Sequence, residues 1–397
     1  MLRLILNRTV LQLVVSASQI GMLALFVVLW PRQADVPQTW AADYFVAIAV
    51  MTPIFMLLSF ELRKITSASA DDGDVHVFHK QRITGIILST GLCLTALPLL
   101  LMSDMQQSIA IYLAVLTFKI SQTLGDQISA HYEWQDDFKG SARSNALKAV
   151  CFISVGTITG FVIGPTVAVF AASIVTILIA LLYDRSRNAF GTKWMPTSLT
   201  NLPRETLAAG GGSFLVSLTL YGPRLIAAAI LGEAAILVMG VGQTMNRFGQ
   251  ILSNSLSQTL IVLQKRAGFA TGKATALLFG LQVIVLLAMI GTLPLWSHIF
   301  SYANGAENFG LAIVLLLIFG LASQFNYLLQ SLNLVQHGPR VFIRGPLVFF
   351  MTFGAALLAT WLLGELGLIN LITCMLVART VQIGYNLIQR RKGDGMT

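Results

Sequence analysis

Charged side chains are scarce in this chain, at 11% of its 397 residues, against about 25% in soluble globular proteins. That shortage excludes water as the main solvent. Cysteine is nearly missing as well: Cys93, Cys151 and Cys374 each lie inside a different apolar run, without the paired spacing of a zinc site or a redox couple. They read as small packing residues. There is no phosphate-cradling Walker loop, no metal-ligand cluster and no Ser/His/Asp arrangement, so the sequence asks for no cofactor and no catalytic residue. The five histidines, His76, His79, His131, His298 and His337, fall in expected loops or span ends, where solvated or interfacial roles are the default. His76 and His79 sit near Asp71, Asp72 and Asp74, a loop spacing that is weak evidence for metal. Acidic residues number 17 against 26 basic ones, a net charge of +9. The basic residues are scattered singly through short loops with no aromatic-interleaved patch, which excludes nucleic acid as the partner.

What remains is apolar. Hydrophobic residues make up 55% of the chain and the mean hydropathy is +0.75. Crossing about 30 Å of hydrocarbon takes roughly 20 apolar residues, and such runs recur near 9–30, 42–60, 83–103, 106–129, 146–163, 166–183, 208–231, 235–262, 274–296, 310–333, 345–363 and 366–388. The first follows Arg3 and Arg8 and continues to Trp30 without a small-residue cleavage pattern, so it reads as a retained span rather than a signal peptide. The expectation is an all-α polytopic membrane protein of about twelve transmembrane helices in two six-helix halves around a central cavity. The halves would be 1–184 and 207–397, joined by a linker over 185–206 that holds Pro196 and Pro203.

The loops test the count independently, because Lys and Arg in short loops stay cytoplasmic. With the N-terminus inside, twenty-one of the 26 basic residues fall in cytoplasmic segments and only Arg32 falls outside. The 106–129 window is the weakest span, carrying Lys119, Gln122, Asp126 and Gln127. Omitting it would invert every later loop, so it is retained and both termini are expected in the cytoplasm.

Four cations are left inside spans: Lys119, Arg224, Arg247 and Arg379. Each costs about 2.5–3.5 kcal/mol at the bilayer centre even on a lenient scale. Arg379, nearest the cytoplasmic end, has the blandest alternative, snorkelling to the interface or pairing with a carboxylate. In the eighth span Gln243, Arg247, Gln250, Asn254 and Gln258 project into an arc of about 80° at 100° per residue. Such a stripe cannot face lipid, so it faces other helices or a wet cavity. Lys119 and Asp126 share a face of the fourth span, as a structural pair or as an ion-linked switch with Asp126 the coupling-ion candidate. Weaker stripes are Asn326, Gln330 and Asn333 on the tenth span and Arg379, Gln382 and Asn386 on the twelfth. In the seventh, Pro223 removes a backbone donor beside Arg224, where a bend is expected.

The stretch Leu220-Tyr221-Gly222-Pro223-Arg224-Leu225-Ile226 through Leu231-Gly232-Glu233-Ala234-Ala235, followed by the polar eighth span, resembles the lipid-linked oligosaccharide flippases of the multidrug/oligosaccharidyl-lipid/polysaccharide exporter superfamily. Phe60-Glu61-Leu62-Arg63-Lys64 with Asp71-Asp72 downstream is a lesser match, and the six-plus-six plan extends the likeness over most of the chain. The resemblance implies movement of a polyprenyl-diphosphate-linked oligosaccharide across a bacterial inner membrane for surface polysaccharide biosynthesis. It also implies membrane lipids and polysaccharide polymerase machinery as partners. Guanidinium groups hold phosphate oxygens bidentately and amides suit sugar hydroxyls. Arg224, Arg247, Lys119, Gln243, Gln250, Asn254 and Arg379 are therefore the expected substrate-binding set. A drug/cation antiporter of the same superfamily should display carboxylates in its cavity instead. A glycan polymerase or ligase should carry a sizeable outside loop, and every outside loop here is short.

Overall fold

The computed structural model describes residues 38–59, 72–95, 106–185, 204–247, 272–300, 308–337 and 341–394. Every regular element among them is helical. In chain order they are α1 (Gln38–Ser59), α2 (Asp72–Thr95), α3 (Gln106–Trp134), α4 (Phe138–Val162), α5 (Pro165–Ile179) with a π-helical turn Ala180–Asp184, and α6 (Arg204–Leu231). They continue with α7 (233–247), α8 (Gly272–Gly291), α9 (Leu293–Ile299), α10 (Phe309–His337), α11 (Val341–Leu362) and α12 (Leu368–Asp394). Among the described residues seven helices are long and apolar enough to cross a membrane by length and composition. The expected first span lies outside the described residues, as does most of the expected linker, 186–203.

Hydropathy locates membrane crossings, while these helices run past the hydrocarbon. The 24-residue α2 begins at Asp72, eleven residues before its expected span, so Asp72, Asp74, His76 and His79 lie on a helix rather than in a loop. Likewise α4 begins at Phe138, and Lys148, counted with the loops by hydropathy, is well inside it. The doubtful fourth span is a continuous helix of 29 residues, about 43 Å long at 1.5 Å per residue.

Local chemistry sets the breaks. Asp137 caps α4, its side chain accepting the Gly140 N–H at 2.8 Å. Pro165 opens α5 at a position where its missing N–H costs nothing. Gly232, with φ +81°, makes the one-residue joint between α6 and α7 in a conformation that penalises a side chain.

The chain divides into two compact units, Met1–Ser213 and Phe214–Thr397, the boundary falling inside α6. In the first unit α3 packs on α5 through Leu124, Ile128, Tyr132 and Ala180, and Trp40 of α1 donates to Thr166 of α5 at 3.0 Å. Asn145 of α4 donates to Ser129 of α3 at 2.9 Å. In the second unit α10 packs on α12 and α11 on α12. Outward faces are apolar: Phe161, Val162 and Leu182 in the first unit and Met351, Leu362 and Leu363 in the second are each at least 67% exposed. Buried positions include Gln330, Gln382 and Asn386 at 0%. Apolar outside and amide inside is the arrangement of a chain dissolved in lipid.

Candidate functional site

The second unit holds the densest set of expected residues. Helix α6 runs unbroken through Pro223, which cannot donate to the carbonyl of Thr219 one turn earlier. Tyr221 and Arg224, three residues apart, share a face. Arg224 is 3% exposed, its guanidinium carbon 5.4 Å from the centroid of the Tyr221 ring. The chain reverses at Gly232, and on α7 Arg247 reaches back to donate to the Tyr221 hydroxyl at 3.1 Å. Arg224 and Arg247 are close enough for each charge to act on the other. The structure thus gathers the two expected clamp arginines at one tyrosine.

Beside them is a small cavity lined by Arg224, Gln243, Asn246, Phe319, Ser323 and Met375, among others. It has room for about two water molecules, enough for an anionic oxygen and too little for a sugar ring without motion. Asn246 donates to the Leu316 carbonyl at 2.8 Å and Gln324 to the Asn246 carbonyl at 3.2 Å, locking α7 to α10. That contact needs Gly320, because a Cβ there would collide with the Asn246 amide. Among the described residues Gln243 Oε1 and Ser323 Oγ have no hydrogen-bond partner.

Arg379 is buried rather than snorkelling, and among the described residues it meets no carboxylate. At 2% exposure it lies between the rings of Phe319 and Phe349, 5.1 and 4.7 Å from their centroids. It donates to Gln382 Oε1 at 2.6 Å and to Thr219 Oγ1 at 2.8 Å. It therefore ties α12 to α6, α10 and α11, and stands behind the Phe319 wall rather than in the cavity. The expected stripes of the tenth and twelfth spans meet: Asn386 donates to Asn326 at 2.7 Å. Asn333, Gln250, Asn254 and Gln258 carry no described side chain.

In the first unit Lys119, 5% exposed, donates to Gln122 at 3.2 Å. Asp126, half-buried two turns on, lies within electrostatic range of Lys148. Sequence reasoning missed a buried ion pair of this unit. Lys148 Nζ meets Asp184 Oδ2 at 2.7 Å, with the side chains 1% and 0% exposed, at an angle outside hydrogen-bond geometry. Tyr132 donates to the other carboxylate oxygen at 3.2 Å. Asp184 closes the π-helical turn, whose wider winding shifts which residues share a helix face on either side of it; such turns recur at functional sites. His131 is 3% exposed within α3, buried rather than solvated.

Charge is divided unevenly. In the first unit the embedded cations Lys119 and Lys148 are accompanied by Asp126 and Asp184, and Asp43 lies within α1. From 214 to 397 the expected spans carry Arg224, Arg247 and Arg379, with Arg344 in the first turn of α11, while the sequence positions of Glu233, Glu307, Glu365 and Asp394 all lie outside the expected spans.

The sequence matches no protein-family model and no curated protein. Its structure is similar to solved transporters. An outward-facing multidrug resistance MATE family transporter of the MOP superfamily aligns over 98% of this chain and 96% of its own, with TM-score 0.67 and 15% identity. A MATE transporter in the straight conformation aligns over 98% and 96%, with TM-score 0.66 and 14% identity. The Vibrio cholerae MATE transporter VcmN in the bent form aligns over 98% and 96%, with TM-score 0.64 and 16% identity. The chain thus shares the all-α fold of these solved transporters over nearly its whole length, with seven described helices long and apolar enough to cross a membrane.

Proposed function

We propose that the chain is a flippase that carries a polyprenyl-diphosphate-linked oligosaccharide from the cytoplasmic to the outer leaflet of a bacterial inner membrane by alternating access. One observation supports this reading: the expected spans of 214–397 hold three arginines well inside them, with Arg344 at the exposed start of α11, and no acidic residue. A cationic drug in such an interior meets like charge, whereas a diphosphate meets forked donors that match its oxygens. Arg224 and Arg247 form the headgroup clamp, with Gln243 beside them for oxygens or hydroxyls. Gln250 and Asn254, outside the described residues, are the further amides that the sequence offers, and the polyprenyl tail remains in lipid. Arg379 acts from behind the wall as a fixed positive charge. Both termini face the cytoplasm, and the division at the linker separates 1–184 from 207–397.

The second reading, a drug/cation antiporter, is favoured by the multidrug resistance transporter among the structural neighbours. Depletion of the protein separates the two. A flippase leaves lipid-linked oligosaccharide accumulating in the inner leaflet, inaccessible to a periplasmic probe, with unchanged sensitivity to cationic drugs. Raised drug accumulation with normal lipid-linked oligosaccharide in the outer leaflet would transfer the assignment to the antiporter.

A further inference from the structure

Two guanidinium groups of like charge are held near one another in the second unit, and repulsion alone would send them to divergent rotamers. Arg224 is buried and its position is constrained by α6. Arg247 is only half-buried, and a long side chain at such a position readily extends its charged end toward water. Among the described residues it is held by a neutral oxygen, the Tyr221 hydroxyl, 3.1 Å from Nη2. The same residue presents its ring to Arg224 at 5.4 Å, within the range in which the negative ring face attracts a cation.

Geometry makes this arrangement depend on the hairpin. Tyr221 lies eleven residues before Gly232 and Gln243 eleven after it, so antiparallel helices bring them level. Arg247 is one turn beyond Gln243 on the same face and must reach back along the hairpin to meet the hydroxyl. Arg224 is one turn from Tyr221 in the opposite sense. The tyrosine therefore stands between the two cations, with a different part of its side chain turned to each.

We propose that Tyr221 is the positioning residue of the anion site: it holds Arg224 and Arg247 side by side so that one phosphate-type group engages both. This rests on the anionic-headgroup reading and adds to it a residue that acts through the arginines. The chemical class that such a paired site takes is a diphosphate, which presents oxygens on two phosphorus centres to two forked donors. A tyrosine kept only for packing, 7% exposed as it is, needs its ring and not its oxygen. The two roles therefore separate on a single atom.

The test uses purified full-length protein with inorganic pyrophosphate as the probe, its affinity measured by calorimetry and folding checked by thermal unfolding. Arg224→Gln and Arg247→Gln should each weaken pyrophosphate binding. Tyr221→Phe should weaken it about fivefold, the fold-change for losing one hydrogen bond of ordinary net strength, with its melting temperature close to that of the parent. The double variant Tyr221→Phe/Arg247→Gln should bind no worse than Arg247→Gln alone, because the hydroxyl has no further arginine to hold. Unchanged affinity in Tyr221→Phe, or losses that add in the double variant, overturns the positioning role while leaving the anion site standing. Unchanged affinity in both arginine variants overturns the anion site, and the positioning role with it. If the Phe variant does not fold, Tyr221→Trp keeps a ring without an oxygen and takes its place in the same comparison.

Discussion

Replacing Asp184 by Leu leaves the Lys148 ammonium in a site where 1% of its side chain is exposed. The opposite change, Lys148→Met, leaves the Asp184 carboxylate at 0% exposure with, among the described residues, the Tyr132 hydroxyl 3.2 Å away as its partner. Breaking a buried pair from one side costs about 3–5 kcal/mol, whereas replacing both partners by apolar residues of similar volume is often neutral or stabilising. Asp184→Leu also strands the Tyr132 O–H, adding about 1–3 kcal/mol for a buried donor without an acceptor. The expected order of stability is the parent, then the double variant, below it by about the 1–3 kcal/mol of the stranded Tyr132 O–H, then Lys148→Met, with Asp184→Leu lowest. Thermal unfolding in detergent and membrane abundance read this order directly. Stability in the single variants equal to that of the parent would refute the buried-pair argument. So would a double variant as unstable as Asp184→Leu.

Gly320→Ala should separate α7 from α10, because the new Cβ occupies the space of the Asn246 amide; a sharp fall in melting temperature is expected, and an unchanged value counts against the contact. Arg379→Met should be better tolerated than Arg379→Lys in thermal unfolding, since methionine fills the space between Phe319 and Phe349, while a lysine buries a charge without the planar fork that reaches Thr219 and Gln382. Reporter tags after Thr397 and within 185–206 should both read as cytoplasmic, and an outside signal from either would break the twelve-span topology.

The α-helical membrane architecture was legible because two unrelated signals agree, apolar windows and the sorting of basic residues between loops. That agreement is what retained α3, whose Lys119 and Asp126 weaken its hydropathy without weakening its helix. Helix ends were not legible: a helix leaving the hydrocarbon continues into polar sequence, as α2 does from Asp72. This displaced Lys148 from an assumed loop into a buried pair. A signal existed in the chain, since Lys148 stands 16 residues before Gly164 and Asp184 20 after it. Opposite charges at similar distances from a tight turn meet when the hairpin closes, but the match also depends on the π-helical turn, which no residue pattern announces. For the arginines, sequence identified the side chains while only packing could sort them. Arg224 lines the cavity, and Arg379, with the same chemistry, is enclosed by two phenylalanines that come from other helices.

The leaflet distribution of lipid-linked oligosaccharide, measured in cells carrying Arg224 and Arg247 variants at matched membrane abundance, tests the central claim most directly. A lysine keeps the positive charge as a compact point but loses the planar fork, and a glutamine loses the charge. The expected ranking at both positions is therefore parent above Lys above Gln, with most outer-leaflet oligosaccharide lost in the Gln variants. Normal outer-leaflet levels with glutamine at both positions would contradict an anionic headgroup held by these two arginines.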